Sequence, residues 1–80
     1  MSDREQRKQA RHTDVMSDYE NDQKVLSLDK CEIYDFITEE IHKVTYYVWY
    51  IDNKGYAHAF DNYEDARKYY FECRKHRLNK

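Results

Sequence analysis

Along residues 44–60 (VTYYVWYIDNKGYAHAF) large apolar side chains occupy both alternating sets of positions, where a half-buried strand would carry them on one. The run breaks at Asp52-Asn53-Lys54-Gly55, which suits a type I turn closed by Gly55 in the left-handed region, a hairpin with a G1 bulge. That register sets Ile51 opposite Ala57, Tyr50 opposite His58, Trp49 opposite Ala59 and Val48 opposite Phe60. One face then carries Val44, Tyr46, Val48, Tyr50, His58 and Phe60. The other carries Thr45, Tyr47, Trp49, Ile51, Ala57 and Ala59, and a slip of one residue would exchange the two.

After Phe60 the period changes to that of a helix. Asp61 is a good N-cap, and Glu64 three residues on completes a capping-box-like pair. Glu64 and Asp65 fall in the first turn and Arg74, Lys75, His76 and Arg77 in the last, so both ends complement the helix dipole. A helix is predicted over about residues 62–77. Its apolar face gathers Tyr63, Ala66, Tyr70 and Cys73, with Tyr69 at the edge. Phe71 lines up instead with Arg67, Arg74 and Leu78 on a second, basic stripe.

Residues 25–43 (VLSLDKCEIYDFITEEIHK) fit two templates. Ile33, Phe36, Ile37, Ile41 and Val44 make a loose helical face that Asp29 and Glu32 could cap, yet CEIYDFIT is rich in β-branched and aromatic residues, as an edge strand is. The strand reading gives β-β-β-α, with α-β-β-α as the alternative. Either is an α+β fold, a small antiparallel sheet with a C-terminal helix. Residues 1–24 carry only Met1, Ala10, Val15, Met16 and Tyr19 as apolar members, at no useful period. That is too little burial to offset the entropy of ordering. A disordered or fraying polar tail is expected over 1–24, with the one small domain at 25–80. The cluster Arg4, Arg7, Lys8 and Arg11 could touch an acidic surface.

Phe60 ends the last strand and Ala66 sits one turn into the helix. This F-x-x-x-x-x-A arrangement after a Gly-turned hairpin resembles small ββα modules over residues 44–72, among them the arm-type DNA-binding domains of phage tyrosine integrases. The resemblance implies that Phe60 and Ala66 pack together under the helix. The core would then be Val44, Tyr46, Val48, Tyr50, Phe60, Ala66, Tyr70 and Cys73. Tyr47, Trp49, Ile51, Ala57 and Ala59 fall on the far side, where the two alanines leave a shallow floor beside Trp49. One helix cannot cover both sides of a sheet. Residues 25–43 fold across that second face, a second copy stacks on it, or a partner occupies it.

Composition sharpens this picture. Thirteen aromatics can supply much of a small core, but nine tyrosines in eighty residues exceed what so small a core can hide, and Tyr is enriched at protein interfaces. Tyr47, Tyr56 and Tyr69, with Trp49 and Phe71, are the expected outward set. The net charge of −2 conceals a polarity: −1 over residues 1–24, −6 over 25–65 and +5 over 66–80. The start, MSDREQRKQARHTD, has no apolar signal-peptide core, and no run approaches the roughly 18 apolar residues of a membrane span. Cys31 and Cys73 belong to no C-x-x-C pair. A cytoplasmic protein with buried thiols and no membrane association is expected.

Integrase-type domains carry basic residues on their exposed strands, but residues 44–60 offer only Lys54 and His58. Duplex binding depends on neutralising several phosphates, so the nucleic-acid candidate is the helix end, with Arg67, Lys68, Arg74, Lys75, Arg77 and Lys80. Cys73-x-x-His76 has half the spacing of a zinc site, which Cys31, His42 or His58 could complete, yet no second tight pair exists. A buried Cys and an exposed His account for the same residues, and no cofactor is expected. There is no Gly-rich phosphate cradle, no G-x-S-x-G and no H-E-x-x-H, so an enzyme is not expected.

These patterns point to a non-enzymatic protein-binding module that modulates, by inhibiting or redirecting, a larger partner. Trp49, Tyr47 and Ile51 would anchor it over Ala57 and Ala59, with Phe71 as a further contact. Arg67, Arg74, Lys75 and Arg77, with an acidic strip of Glu32, Asp35, Glu39 and Glu40, would steer it. The rival is a small nucleic-acid-binding regulator using the basic helix, and a homodimer through the Trp49 face is a third arrangement. In general character this Pro-free, charged, Tyr-rich chain resembles small early proteins of bacteriophages, which implies a host protein as partner.

Overall fold

Four antiparallel strands follow one another in sequence order, β1 (Lys8–Glu20), β2 (Gln23–Asp35), β3 (Glu40–Tyr50) and β4 (Ala57–Phe60), and α1 (Tyr63–Leu78) closes the chain. The computed structural model describes residues 8–78. The α+β class holds, with one more strand than the β-β-β-α pattern supplies. The α-β-β-α alternative fails, because residues 25–43 run through β2 and into β3.

The added strand lies in the segment expected to be a disordered tail, which is corrected over residues 8–20. Arg4 and Arg7 of its basic cluster lie outside the described residues. Burial alone would not order so polar a stretch; backbone pairing with β2 and side-chain ties do. β1 pairs with β2 from Lys8↔Asp35 to Glu20↔Gln23. The connecting Asn21 and Asp22 have φ of 52° and 65°, the pair of positive values that a two-residue I′ turn requires. Tyr70 then donates a hydrogen bond to Asp18 Oδ2 at 2.8 Å, Arg74 lies 3.6 Å from the same oxygen, and Arg77 pairs with Glu20.

Register shifts decide which side chains meet α1. An extra residue at Val15 lets Asp14 pair with Asp29 and Met16 with Leu28, turning Met16 and Asp18 toward the helix. On β2 the extra residue is Val25, which enters the core and leaves Lys24 on the opposite face. The core is Val25, Leu26, Leu28, Val48, Tyr50, Ala66, Tyr70 and Cys73, with Met16, Tyr46, Ile51, Phe60 and Tyr69 packed against it. Val44 drops out of the expected set. It pairs with Glu32 on the stretch of sheet beyond the core and is only half-buried. Leu26 and Leu28 take the central place.

The β3–β4 connection also differs. Ile51–Asn53 form a short 3-10 turn, followed by Lys54 and Gly55 with φ of 56° and 88°. The pairs are Trp49↔Ala57, Val48↔His58, Tyr47↔Ala59 and Tyr46↔Phe60. This is a shift of two from the expected register, which keeps every remaining side chain on its expected face. Ile51 leaves the strand because it packs against the core instead. The helix begins at Tyr63, one residue later than expected, and its cap moves with it. Asn62 Oδ1 accepts from the Asp65 amide at 2.9 Å while Asn62 Nδ2 donates to Asp65 Oδ2 at 3.0 Å, so Asn62 and Asp65 replace Asp61 and Glu64 as the capping pair.

Two substitutions separate the layers of this fold. Leu28→Ala, at a fully buried position, is expected to cost about 2–5 kcal/mol, read as a lower urea midpoint. Asp18→Asn is expected to leave β2–β4 protected while amide exchange quickens in β1.

Candidate interaction surface

Because α1 lies over one face only, no described element covers the other face of the sheet. Three cross-strand rows form its middle: Ser17–Ser27–Trp49–Ala57, then Asp14–Asp29–Tyr47–Ala59, then His12–Cys31–Thr45. Within these rows the two large rings stand on β3 alone, and Tyr19 on β1 lies farther along, opposite Lys24. Serines on one side and alanines on the other make shallow troughs flanking an aromatic ridge. Trp49 and Tyr47 are half-buried, while Ala57 and Ala59 are exposed. An open groove of about 510 Å³ runs there, lined by His12, Lys24, Ser27, Asp29, Tyr47, Trp49 and Ala57. Residues 25–43 do not fold across this face, as one expectation had it; they are strands of the same sheet.

The charged rim is arranged unequally. Ser17 Oγ donates to Asp14, 2.7 and 2.8 Å from its two oxygens, and Lys24 Nζ lies 3.2 Å from Asp14 Oδ2. The Ser17 hydrogen bond, with Lys24 beside it, holds the Asp14 carboxyl below its ordinary value, and the same contact raises Lys24. Asp29 goes the other way. Burial, and then the charge of Asp14 across the strands, pushes its carboxyl up. Cys31 is buried on this face with its Sγ 3.8 Å from His12 Nε2.

Of the expected anchors, Tyr47, Trp49, Ala57 and Ala59 share this face, and Ile51 does not. Phe71 lies apart, on the outer side of α1. It is 37% exposed, with the Arg67 guanidinium 5.0 Å from its ring, in a groove of about 550 Å³ lined by Glu64, Arg67, Lys68, Phe71, Glu72 and Lys75. Arg74 and Arg77 are not free steering charges, since both are tied to β1. Tyr69, expected outward, packs on His58 and Phe60 with ring centroids 4.8 and 5.5 Å away. Tyr56 is outward at 75% exposure. In the acidic strip, Glu32 pairs with Arg11 at 3.6 Å, and buried Asp35 accepts from the Ile37 and Thr38 amides at 2.9 and 3.2 Å. Only Glu39 and Glu40 stand in solvent, at the tip of the β2–β3 hairpin beside exposed Phe36, Ile37 and Ile41.

Sequence reasoning missed the β1 and β2 side of the groove: His12, Asp14, Lys24, Ser27 and Asp29. The signal was Asn21-Asp22, two residues tolerant of positive φ, set between runs that could pair. Cys73 lies in the core, and burial raises its thiol. Among the described residues no three His, Cys, Asp or Glu side chains are grouped to hold a metal ion. No described helix is long and apolar enough to cross a membrane. No protein family, curated protein or solved structure matches the chain.

The opposed shifts are measurable. Carboxyl carbon shifts followed by NMR against pH are expected to show Asp14 titrating below Asp29. The signs differ for stability. Asp14 stabilises the fold above its unfolded pKa and loses that contribution as pH falls through its lowered folded value. Asp29 disfavours the fold as pH rises through its raised value. At neutral pH, Asp29→Asn is therefore expected to leave the melting temperature unchanged or raise it.

Proposed function

We propose that the chain is a non-enzymatic protein-binding module whose open sheet face docks on a larger protein and inhibits or redirects it. One observation carries this reading: Trp49 and Tyr47 form a ridge between shallow troughs on a face that no described element crosses. Amphipathic rings with few rotatable bonds bury wide area at small entropic cost, and Trp and Tyr dominate binding hot spots. The general likeness to small early bacteriophage proteins extends the proposal to a host protein as the target and the cytoplasm as the location.

A second reading rests on the groove around Phe71. Arg67, Lys68 and Lys75 gather there beside an exposed ring, a combination that suits a single-stranded nucleic acid. Glu64 and Glu72 line the same groove, and Arg74 and Arg77 are held by Asp18 and Glu20, which weakens the phosphate-binding potential of the helix. Stacking of two copies through the Trp49 face is the remaining arrangement.

Affinity capture from a host lysate at low and high salt, with wild type, Trp49→Ala, Tyr47→Ala and Phe71→Ala, separates these readings. The expected outcome is one retained protein that survives raised salt. Trp49→Ala should weaken its retention roughly 30-fold, as loss of a hot spot of about 2 kcal/mol would, and Phe71→Ala should not. Salt-sensitive retention on an oligonucleotide, lost in Arg67→Ala and Lys75→Ala, would reverse the order of the readings. Sedimentation in which mass rises with concentration and Trp49→Ala abolishes the rise would assign the face to a second copy.

A further inference from the structure

We propose that the groove beside Trp49 receives an arginine side chain of the protein partner, with Asp29 as its counter-charge and the rings of Tyr47 and Trp49 as its walls. The inference rests on reading this face as a protein-docking surface and names the chemistry of what docks there.

Charge is the first argument. The rim holds two carboxylates, Asp14 and Asp29, one ammonium, Lys24, and the imidazole of His12. Lys24 is engaged by Asp14, which Ser17 also serves, and the His12 ring sits against Cys31. Asp29 makes no hydrogen bond or close ion pair with any described residue and meets Lys24 and His12 only through space. Counting the imidazole as neutral, the rim carries one negative charge in excess, located at Asp29. A cation from the partner complements it.

Geometry is the second. Asp29 and Tyr47 are direct cross-strand partners, and Trp49 lies two residues further along the same face. Such partners have Cβ atoms about 4.5–5.5 Å apart and diagonal neighbours about 7–8 Å. A planar cation seated on the carboxylate thus reaches the ring faces, within the roughly 6 Å over which a cation–π attraction acts. Ser27 and Ala57 are small enough for a flat group to lie low beside Trp49.

The chain itself supplies the third argument. On the opposite face, the Arg11 guanidinium lies 4.5 Å from the centroid of Tyr34 and 3.6 Å from Glu32. That is a complete trio of guanidinium, ring and carboxylate. The open face presents the carboxylate and the rings of the same trio. Arginine suits it better than lysine, because a guanidinium is planar, stacks on aromatic faces, bonds a carboxylate through its fork and is more weakly hydrated than an ammonium.

Trp49 is the only tryptophan, so the emission of the full chain reports on this groove. The test titrates it at low salt with acetyl-Gly-Arg-Gly-amide and with the same peptide carrying citrulline or lysine. A saturable change with the arginine peptide is expected, roughly tenfold weaker with citrulline, which keeps the shape and loses the charge. Asp29→Asn should lose about the same factor while keeping its circular dichroism and a melting temperature no lower than that of the wild type. Equal binding of the citrulline and arginine peptides, tighter binding of lysine, or no saturable change with any of them would overturn the proposal. So would an emission change that grows with protein concentration alone, since a second copy would then fill the groove. If the arginine peptide fails while Trp49→Ala still abolishes partner capture, the inference falls and the docking face stands. If Trp49→Ala leaves capture intact, the docking face itself falls.

Discussion

A single helix over a sheet much longer than itself is the constraint from which the rest follows. At 1.5 Å per residue the sixteen residues of α1 span roughly 24 Å, whereas thirteen-residue strands reach roughly 43 Å. The molecule is accordingly drawn out, with extents of 50 × 24 × 18 Å. Burial concentrates where Ala66, Tyr70 and Cys73 meet Leu26, Leu28, Val48 and Tyr50. Beyond the helix, polar and ionic contacts take over, as in the set of Arg11, Glu32 and Tyr34.

That geometry explains how a polar strand belongs to the fold. β1 adds little apolar burial beyond Met16, yet its inner edge is satisfied by β2 and its carboxylates reach across to α1. The burial of the Tyr70 hydroxyl, reinforced by its hydrogen bond to Asp18, raises its pKa, so it remains a donor across the physiological range. The basic end of α1 thereby has a structural role. Residues that look like a solvated, dipole-complementing cluster are in part the clamps that hold the edge strand.

The uncovered face follows from the same arithmetic of layers. In its central rows the large rings stand on β3 and the neighbouring strands carry small or charged side chains and the His12 imidazole, so this stretch is a ridge with troughs rather than a flat apolar sheet, and Tyr19 lies farther along β1 opposite Lys24. Asp29 stands opposite Asp14 and is partly desolvated, an arrangement that costs folding stability. A residue that weakens the free protein and lines this groove is, on the proposed docking, a cost that the bound state would offset.

Several elements were legible in the chain before any coordinates. The helix announces itself by its acidic start, basic end and 3.6-residue period. The two faces of β3 follow from alternation, and they survive even though the turn was misjudged, because a register shift of two preserves parity. The rival template for residues 25–43 shows the limit of pattern reading: a short run rich in Ile, Phe and Tyr satisfies both periods, and only the partners on either side select the strand. The fate of Ile51 shows another. Alternation places it beside Trp49, but burial against the core outweighs one more strand pair, and the chain tightens into a 3-10 turn.

By itself, then, the sequence determined the local periods, the helix, the opposing faces of the central strand and the surplus of aromatic side chains. The tertiary structure alone decided that residues 8–20 form an edge strand, that Val15 and Val25 are bulges, and that Asp29, Lys24 and His12 gather beside Trp49. The physical reason is that propensity and alternation act between near neighbours in the chain. The pairing of β1, the burial of Val25 and the meeting of Asp14 with Asp29 depend on strands brought together through the fold, whose worth appears only once the neighbouring strand and the helix are in place.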